Sequence, residues 1–200
     1  MYRIQAESSY EFEINKSRFI CYLQRVNSEN EAKEYIKSIK KRHPKANHHC
    51  QAILINDLLQ RSNDDGEPSG TAGIPMLEVL RKREMELICA VVVRYFGGIP
   101  LGAGGLIRAY SKSVSEALNN TNIYSITPTK KFRLVFDYEY THKMDFLLRD
   151  CTFIFKEYEE EVTYIFLSNQ NNLNEAILEL TNGKASLQYL ETVEVEMKVN

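Results

Sequence analysis

Apolar and polar residues alternate through residues 8–15 and again through 18–26, with the turn signal Asn15-Lys16-Ser17 between them. A β-hairpin is therefore expected to open the chain. The period then changes. Ala32, Tyr35, Ile36 and Ile39 recur at helical spacing behind a capping box, Ser28-Glu29-Asn30-Glu31, and Pro44 closes the segment. Residues 48–56 read as a strand, 63–73 as a polar loop dense in turn formers, and about 75–84 as a short helix with Met76, Leu77, Val79 and Leu80 as its apolar positions. The run Ile88-Cys89-Ala90-Val91-Val92-Val93 has no polar interruption, as in a strand buried on both faces. A glycine-rich loop follows, and from Leu106 the helical period returns, with Tyr110, Ser113, Val114, Ala117 and Leu118 on the same side.

The second half repeats a simpler grammar. Strands are expected at 131–139, 152–158, 162–167 and 186–199, and helices at 141–150 and 172–181, with Thr141 and Asn172 as N-caps and Gly183 as a stop. That order is βαββαβ, a ferredoxin-like unit. A boundary is placed near Thr127-Pro128-Thr129, giving domains of residues 1–127 and 128–200 in an α+β chain.

Two hundred residues suffice for two small cores. Charge divides unevenly. Residues 1–130 hold 18 Lys+Arg and 14 Asp+Glu, or +4, and residues 131–200 hold 7 and 13, or −6, which together give the −2 of the chain. The first part is the better suited to an anionic partner, and the acidic second part leaves room for a basic protein partner. Cys21, Cys50, Cys89 and Cys151 lie scattered among apolar neighbours, without the spacing of a zinc or redox motif, so buried free thiols are expected. No internal run is long enough to span a bilayer, and the first residues lack a secretory signal, so a soluble cytoplasmic protein is expected.

Candidate chemistry gathers at residues 97–105, which hold five of the nine glycines, Gly97, Gly98, Gly102, Gly104 and Gly105. Glycines ahead of a helix start let backbone amides approach an anion at the positive end of the helix dipole. Arg108, Lys112 and Glu116 follow at four-residue spacing, so a cationic ridge begins one turn away. The loop has neither the Gly-Lys-Ser/Thr of a Walker A motif nor Gly-x-Gly-x-x-Gly spacing. Arg94, inside the apolar strand, needs an anion. Either Asp64, Asp65 or Glu67 locks it in place, or it meets a ligand phosphate. His48 and His49 beside these acids invite a metal, but adjacent strand residues face opposite ways and no ligand spacing supports one. No metal and no cofactor are expected. Ser69 lacks both a nucleophile elbow and an assigned base.

Four blocks carry a resemblance in the same order: Lys16-Ser17-Arg18-Phe19-Ile20, His48-His49-Cys50, Asp64-Asp65-Gly66-Glu67-Pro68-Ser69-Gly70-Thr71-Ala72-Gly73, and Val93 through Tyr110. They resemble the YigZ/IMPACT family strongly over about residues 1–120, and the remainder is similar to the small C-terminal domain of bacterial YigZ-type proteins. The resemblance implies two two-layer α/β sandwich domains. The first would be like the second domain of a small-subunit ribosomal protein, a fold shared with translocation factors and GHMP-type kinases. The second would be like the ferredoxin-like last domain of the translocating elongation factor. Both comparisons point toward RNA or the ribosome, though fold alone does not settle function.

The expected function is thus a translation-linked binding or regulatory protein holding RNA or another phosphate-bearing partner. Gly97, Gly98, Gly102, Gly104, Gly105, Arg108 and Lys112 would meet phosphates, Arg18 and His49 would border the cleft, and Asp64, Asp65, Glu67 and Arg94 would form its wall or lock. The competing expectation is an enzyme on a small phosphorylated molecule, with an acid of residues 64–67 as base or magnesium ligand.

Overall fold

The computed structural model describes residues 1–199, which divide into two compact units: residues 1–126 joined by the chain end from Glu196, and residues 127–195. The first unit begins with a short strand, β1 (Tyr2–Ile4), and the hairpin β2 (Ser8–Ile14) and β3 (Ser17–Arg25). Then come α1 (Glu29–Arg42), β4 (His48–Leu54), β5 (Gln60–Asn63), α2 (Gly73–Lys82), β6 (Ile88–Tyr95) and α3 (Gly102–Asn119). The strands pair antiparallel in the order β2-β3-β6-β4-β5.

β6 is the centre of this sheet because every residue from Ile88 to Arg94 is buried. Its side chains alternate between two cores. Ile88, Ala90 and Val92 pack with Phe19, Cys50, Met76, Leu80 and Tyr110 beneath α2 and α3. Cys89, Val91 and Val93 pack with Ile20, Ile36 and Ile39 beneath α1. Each fully buried valine or isoleucine here contributes roughly 1.5–3 kcal/mol. α1 packs on the second face of this sheet, over Cys89, Val91 and Val93, because β6 is apolar on both faces. α1 is held at its start by the Glu31 amide, which donates to Ser28 Oγ at 3.2 Å.

Two helices begin earlier than their apolar periodicity. α3 starts at Gly102, four residues before Leu106, since glycines add no side chain to the pattern. α2 starts at Gly73, where a carboxylate described below gathers its first amides. β5, with sequence Gln-Arg-Ser-Asn, is a polar edge strand that no hydrophobic pattern announces.

β7 (Ile123–Phe136) includes Thr127-Pro128-Thr129. Its early residues pair with β1 and Lys130 to Phe136 pair with β9 (Val162–Ser168). A 3-10 turn at Tyr138–Tyr140 leads into α4 (Thr141–Leu147), and β8 (Thr152–Tyr158), α5 (Leu173–Thr181) and β10 (Ser186–Lys198) complete the second unit. The strand order is β10-β7-β9-β8, the ferredoxin-like arrangement 4-1-3-2. Leu134, Phe136, Met144, Tyr164, Phe166 and Ile177 form its core. Thr141 is the first residue of α4 rather than its N-cap, and its Oγ1 donates to the Tyr138 carbonyl at 2.8 Å. Asn172 does occupy the N-cap position of α5, with a left-handed φ of 60° and no side-chain cap bond. No helix among the described residues is long and apolar enough to cross a membrane.

Candidate functional site

Strand alternation places Arg94 on the α2/α3 side of the sheet, where it meets Glu67. Arg94 Nη1 donates to Glu67 Oε1 at 2.7 Å, with the two side chains only 6% and 3% exposed. Tyr110 of α3 donates its hydroxyl to the same oxygen at 2.7 Å. Burial, reinforced by Cys50 and Glu67, pushes the Tyr110 phenol well above its ordinary value, so it remains a donor. Burial likewise pushes the Cys50 thiol up to about 12, and its sulfur lies 3.2 Å from the Tyr110 oxygen. Arg94 also lies over the rings of Phe19 and Phe96 and reaches Ser17 Oγ at 3.4 Å, while its Nε is buried with no hydrogen-bond partner among the described residues. Arg94 and Glu67 are thus each other's counter-ions, tied to α3 through Tyr110.

The other two acids of the loop have separate tasks. Asp64 Oδ1 accepts from the Ala72 and Gly73 amides at 3.0 and 2.8 Å, and Oδ2 accepts from Gly70 at 2.8 Å, so the carboxylate gathers the start of α2. Asp65 accepts from Lys40 Nζ at 2.9 Å and from the His49 amide at 2.7 Å. The three carboxylates are committed to different partners and do not converge. No group of three or more His, Cys, Asp or Glu side chains among the described residues is placed to hold a metal.

Burial works to raise the Asp64 carboxyl, but the amides of Gly70, Gly73 and Ala72 outweigh it and hold it below the usual aspartate value. Its stabilising contribution is complete above the unfolded value near ~3.9 and is lost as pH falls through the lower folded value. Asp64→Ala should cost about 1–2 kcal/mol at pH 7, the magnitude of a lost helix cap. In thermal melts its deficit against the unaltered protein should shrink below about pH 4. A deficit as large at pH 2 as at pH 7 would contradict this role.

Two expected border residues lie on the opposite, α1, side of the sheet. Arg18 is exposed and paired with Glu11, Nη2 to Oε2 at 2.7 Å, beneath neither α2 nor α3. His49 is buried, with Nε2 donating to the His43 carbonyl at 3.0 Å. His48 takes the place given to His49. Its Nδ1 donates to the Asp65 carbonyl at 2.9 Å, and Nε2 stands 3.9 Å from Glu67 Oε1. The principle that adjacent strand residues face opposite ways was legible; which histidine faced which way was not, because both neighbours of the pair are compatible with either register.

The glycine segment divides into two parts. Gly97 packs against the β2–β3 turn, and its amide donates to Ser17 Oγ at 3.1 Å, so it is structural. The Phe96 amide is likewise taken, by Asn47 Oδ1 at 2.8 Å. Gly98 is exposed with φ +84° and open space around it. Gly102, Gly104 and Gly105 belong to the first turn of α3, where Leu101 offers no side-chain cap and no acidic residue is present. Beside that turn lies an open groove of about 380 Å³, lined by Phe12, Ile14, Leu101, Gly105, Arg108 and Lys112 among others. Arg108 has no hydrogen bond or ion pair among the described residues, and Lys112 has only the Phe12 ring, with Nζ 4.9 Å from its centroid. The structure thus joins Arg108 and Lys112 to the α3 glycines and separates them from Arg18 and His49. Phe12, Ile14 and Leu101 were not anticipated, since each reads as ordinary core or loop.

These features define an α+β protein of two units, the first carrying a cation-lined groove beside an uncapped helix start. The Impact N-terminal domain family matches residues 15–118. The chain is 48% identical to IMPACT family member YvyE of Bacillus subtilis, covering all of this chain and 95% of that protein. It is 42% identical to IMPACT family member YigZ of Escherichia coli, over 70% of each chain. A solved crystal structure of a hypothetical protein is similar with a TM-score of 0.61 at 33% identity, over 95% of this chain and 97% of that one. The chain belongs to the IMPACT family.

Proposed function

We propose that this protein is a cytoplasmic, translation-linked regulatory protein that binds RNA, free or on the ribosome, through phosphates held on the exposed side of α3. Arg108 and Lys112 supply the charge, and the first-turn amides around Gly102 and Gly104 supply hydrogen-bond donors. The observation that carries this reading is the placement of two cations: Arg108 and Lys112 have no acidic partner among the described residues and line one groove together beside the start of α3. Unneutralised cations beside an uncapped helix start favour an anion, and family membership together with the ferredoxin-like second unit supports RNA as its source. The commitment of Asp64, Asp65 and Glu67 to internal partners speaks against the phosphometabolite enzyme, which needed one of them free.

Fluorescence anisotropy with a labelled RNA at low salt tests this. Arg108→Ala with Lys112→Ala is expected to weaken binding at least tenfold without lowering the melting temperature. Binding that is absent in the unaltered protein, or unchanged in the double variant, would overturn the assignment.

A further inference from the structure

We infer that the groove between β2 and α3 receives one unpaired nucleotide, so that the RNA is recognised single-stranded, an inference that rests on the phosphate reading just given. The groove has two kinds of wall. Phe12, Ile14, Leu101 and Ala109 give it an apolar body, and Arg108 and Lys112 give it a cationic rim. Glu13 also lines it, leaving a net of one positive charge among the three ionised groups, so a bare phosphate would leave most of the groove unfilled and gain little from it. An occupant that satisfies both walls carries an anion at one end and an apolar face at the other, which is the chemistry of a nucleotide out of its duplex. A paired strand offers only phosphate and sugar at its surface, its base faces being stacked inside.

Phe12 supplies the platform. One side of its ring stacks on Phe19 at 5.4 Å and 12°, which fixes its plane against the core. Lys112 Nζ lies over the ring at 4.9 Å from the centroid. A cation resting on an aromatic ring for want of an anion is held weakly at an exposed site. When a phosphate arrives, Lys112 turns to it, and the ring face it leaves becomes available to the base. Stacking of a base on an aromatic side chain is tolerant of sequence, so the groove reads strandedness rather than sequence.

The test compares a short unpaired RNA oligonucleotide with the same strand annealed to its complement, in anisotropy titrations at equal salt. The unpaired strand should bind roughly tenfold more tightly, in line with stacking of one base. Phe12→Leu keeps an apolar side chain but removes the ring, and should abolish the preference for the unpaired strand over the duplex. Phe12→Tyr should retain the preference, which separates the loss of stacking from a loss of folding. Equal affinity for both forms, or a preference that survives Phe12→Leu, would overturn this inference and leave the phosphate reading standing. Binding of neither form would overturn both.

Discussion

Glu67→Gln is expected to lower the stability of the first unit by about 3–5 kcal/mol, because it leaves a buried guanidinium without its counter-ion. The substitution keeps the shape of the side chain and an oxygen for the Tyr110 hydroxyl, so little but charge is lost. Among the described residues Arg94 has no second anion to turn to: its remaining contacts are the long Ser17 bond and the two rings, and its Nε has no hydrogen-bond partner. A loss of this size lowers the melting temperature by roughly 10 °C or more. Adding Arg94→Met to Glu67→Gln removes the stranded charge and should recover much of the loss, since a buried ion pair replaced as a whole costs far less than one broken in half. Thermal melts of the single and double variants check this. A double variant no more stable than Glu67→Gln would mean that the single loss reflects packing rather than charge.

Gly97→Ala should be nearly as damaging, about 3 kcal/mol, through a different cause. A Cβ at this position would lie 2.0 Å from the Lys16 carbonyl carbon and 2.1 Å from its oxygen, both backbone atoms of the β2–β3 turn. Asn15 and Lys16 already hold left-handed φ values of 48° and 63°, so the turn has little freedom to withdraw. Moving it would also stretch the Gly97 amide from Ser17 Oγ. Gly98→Ala meets no atom and differs only through its positive φ, so it should cost less, and comparison of the two melting temperatures separates contact from backbone strain. Equal losses would show that the close approach at Gly97 is not the reason for its glycine.

Much of the fold was legible because it is written in side-chain pattern. The uninterrupted apolar run became the doubly covered β6, and the βαββαβ order became the ferredoxin-like unit. What stayed hidden had no pattern to carry it. β5 is four polar residues on a sheet edge, and the first turn of α3 is largely glycine, which adds nothing to a periodicity. The candidate site was legible by residue type and less so by place. Arg108 and Lys112 follow from helical spacing within one element, whereas Arg18, His48 and His49 depend on which face of the sheet each strand presents. That is decided by the pairing of β3 and β4 with β6, a long-range register. Residues 64–67 could not be separated by sequence either. One acid closes a helix start, one ties α1 to β4, and one neutralises Arg94, and only the folded loop distinguishes them.

The separation of a structural lock from a ligand groove is tested most directly by the salt dependence of RNA binding. Each phosphate neutralised on a single strand contributes about 0.7 to the slope of log affinity against log salt. If Arg108 and Lys112 are the phosphate contacts, their joint replacement by alanine lowers that slope by about 1.4 relative to the unaltered protein. A slope unchanged in the double variant would place the phosphates elsewhere and contradict the account.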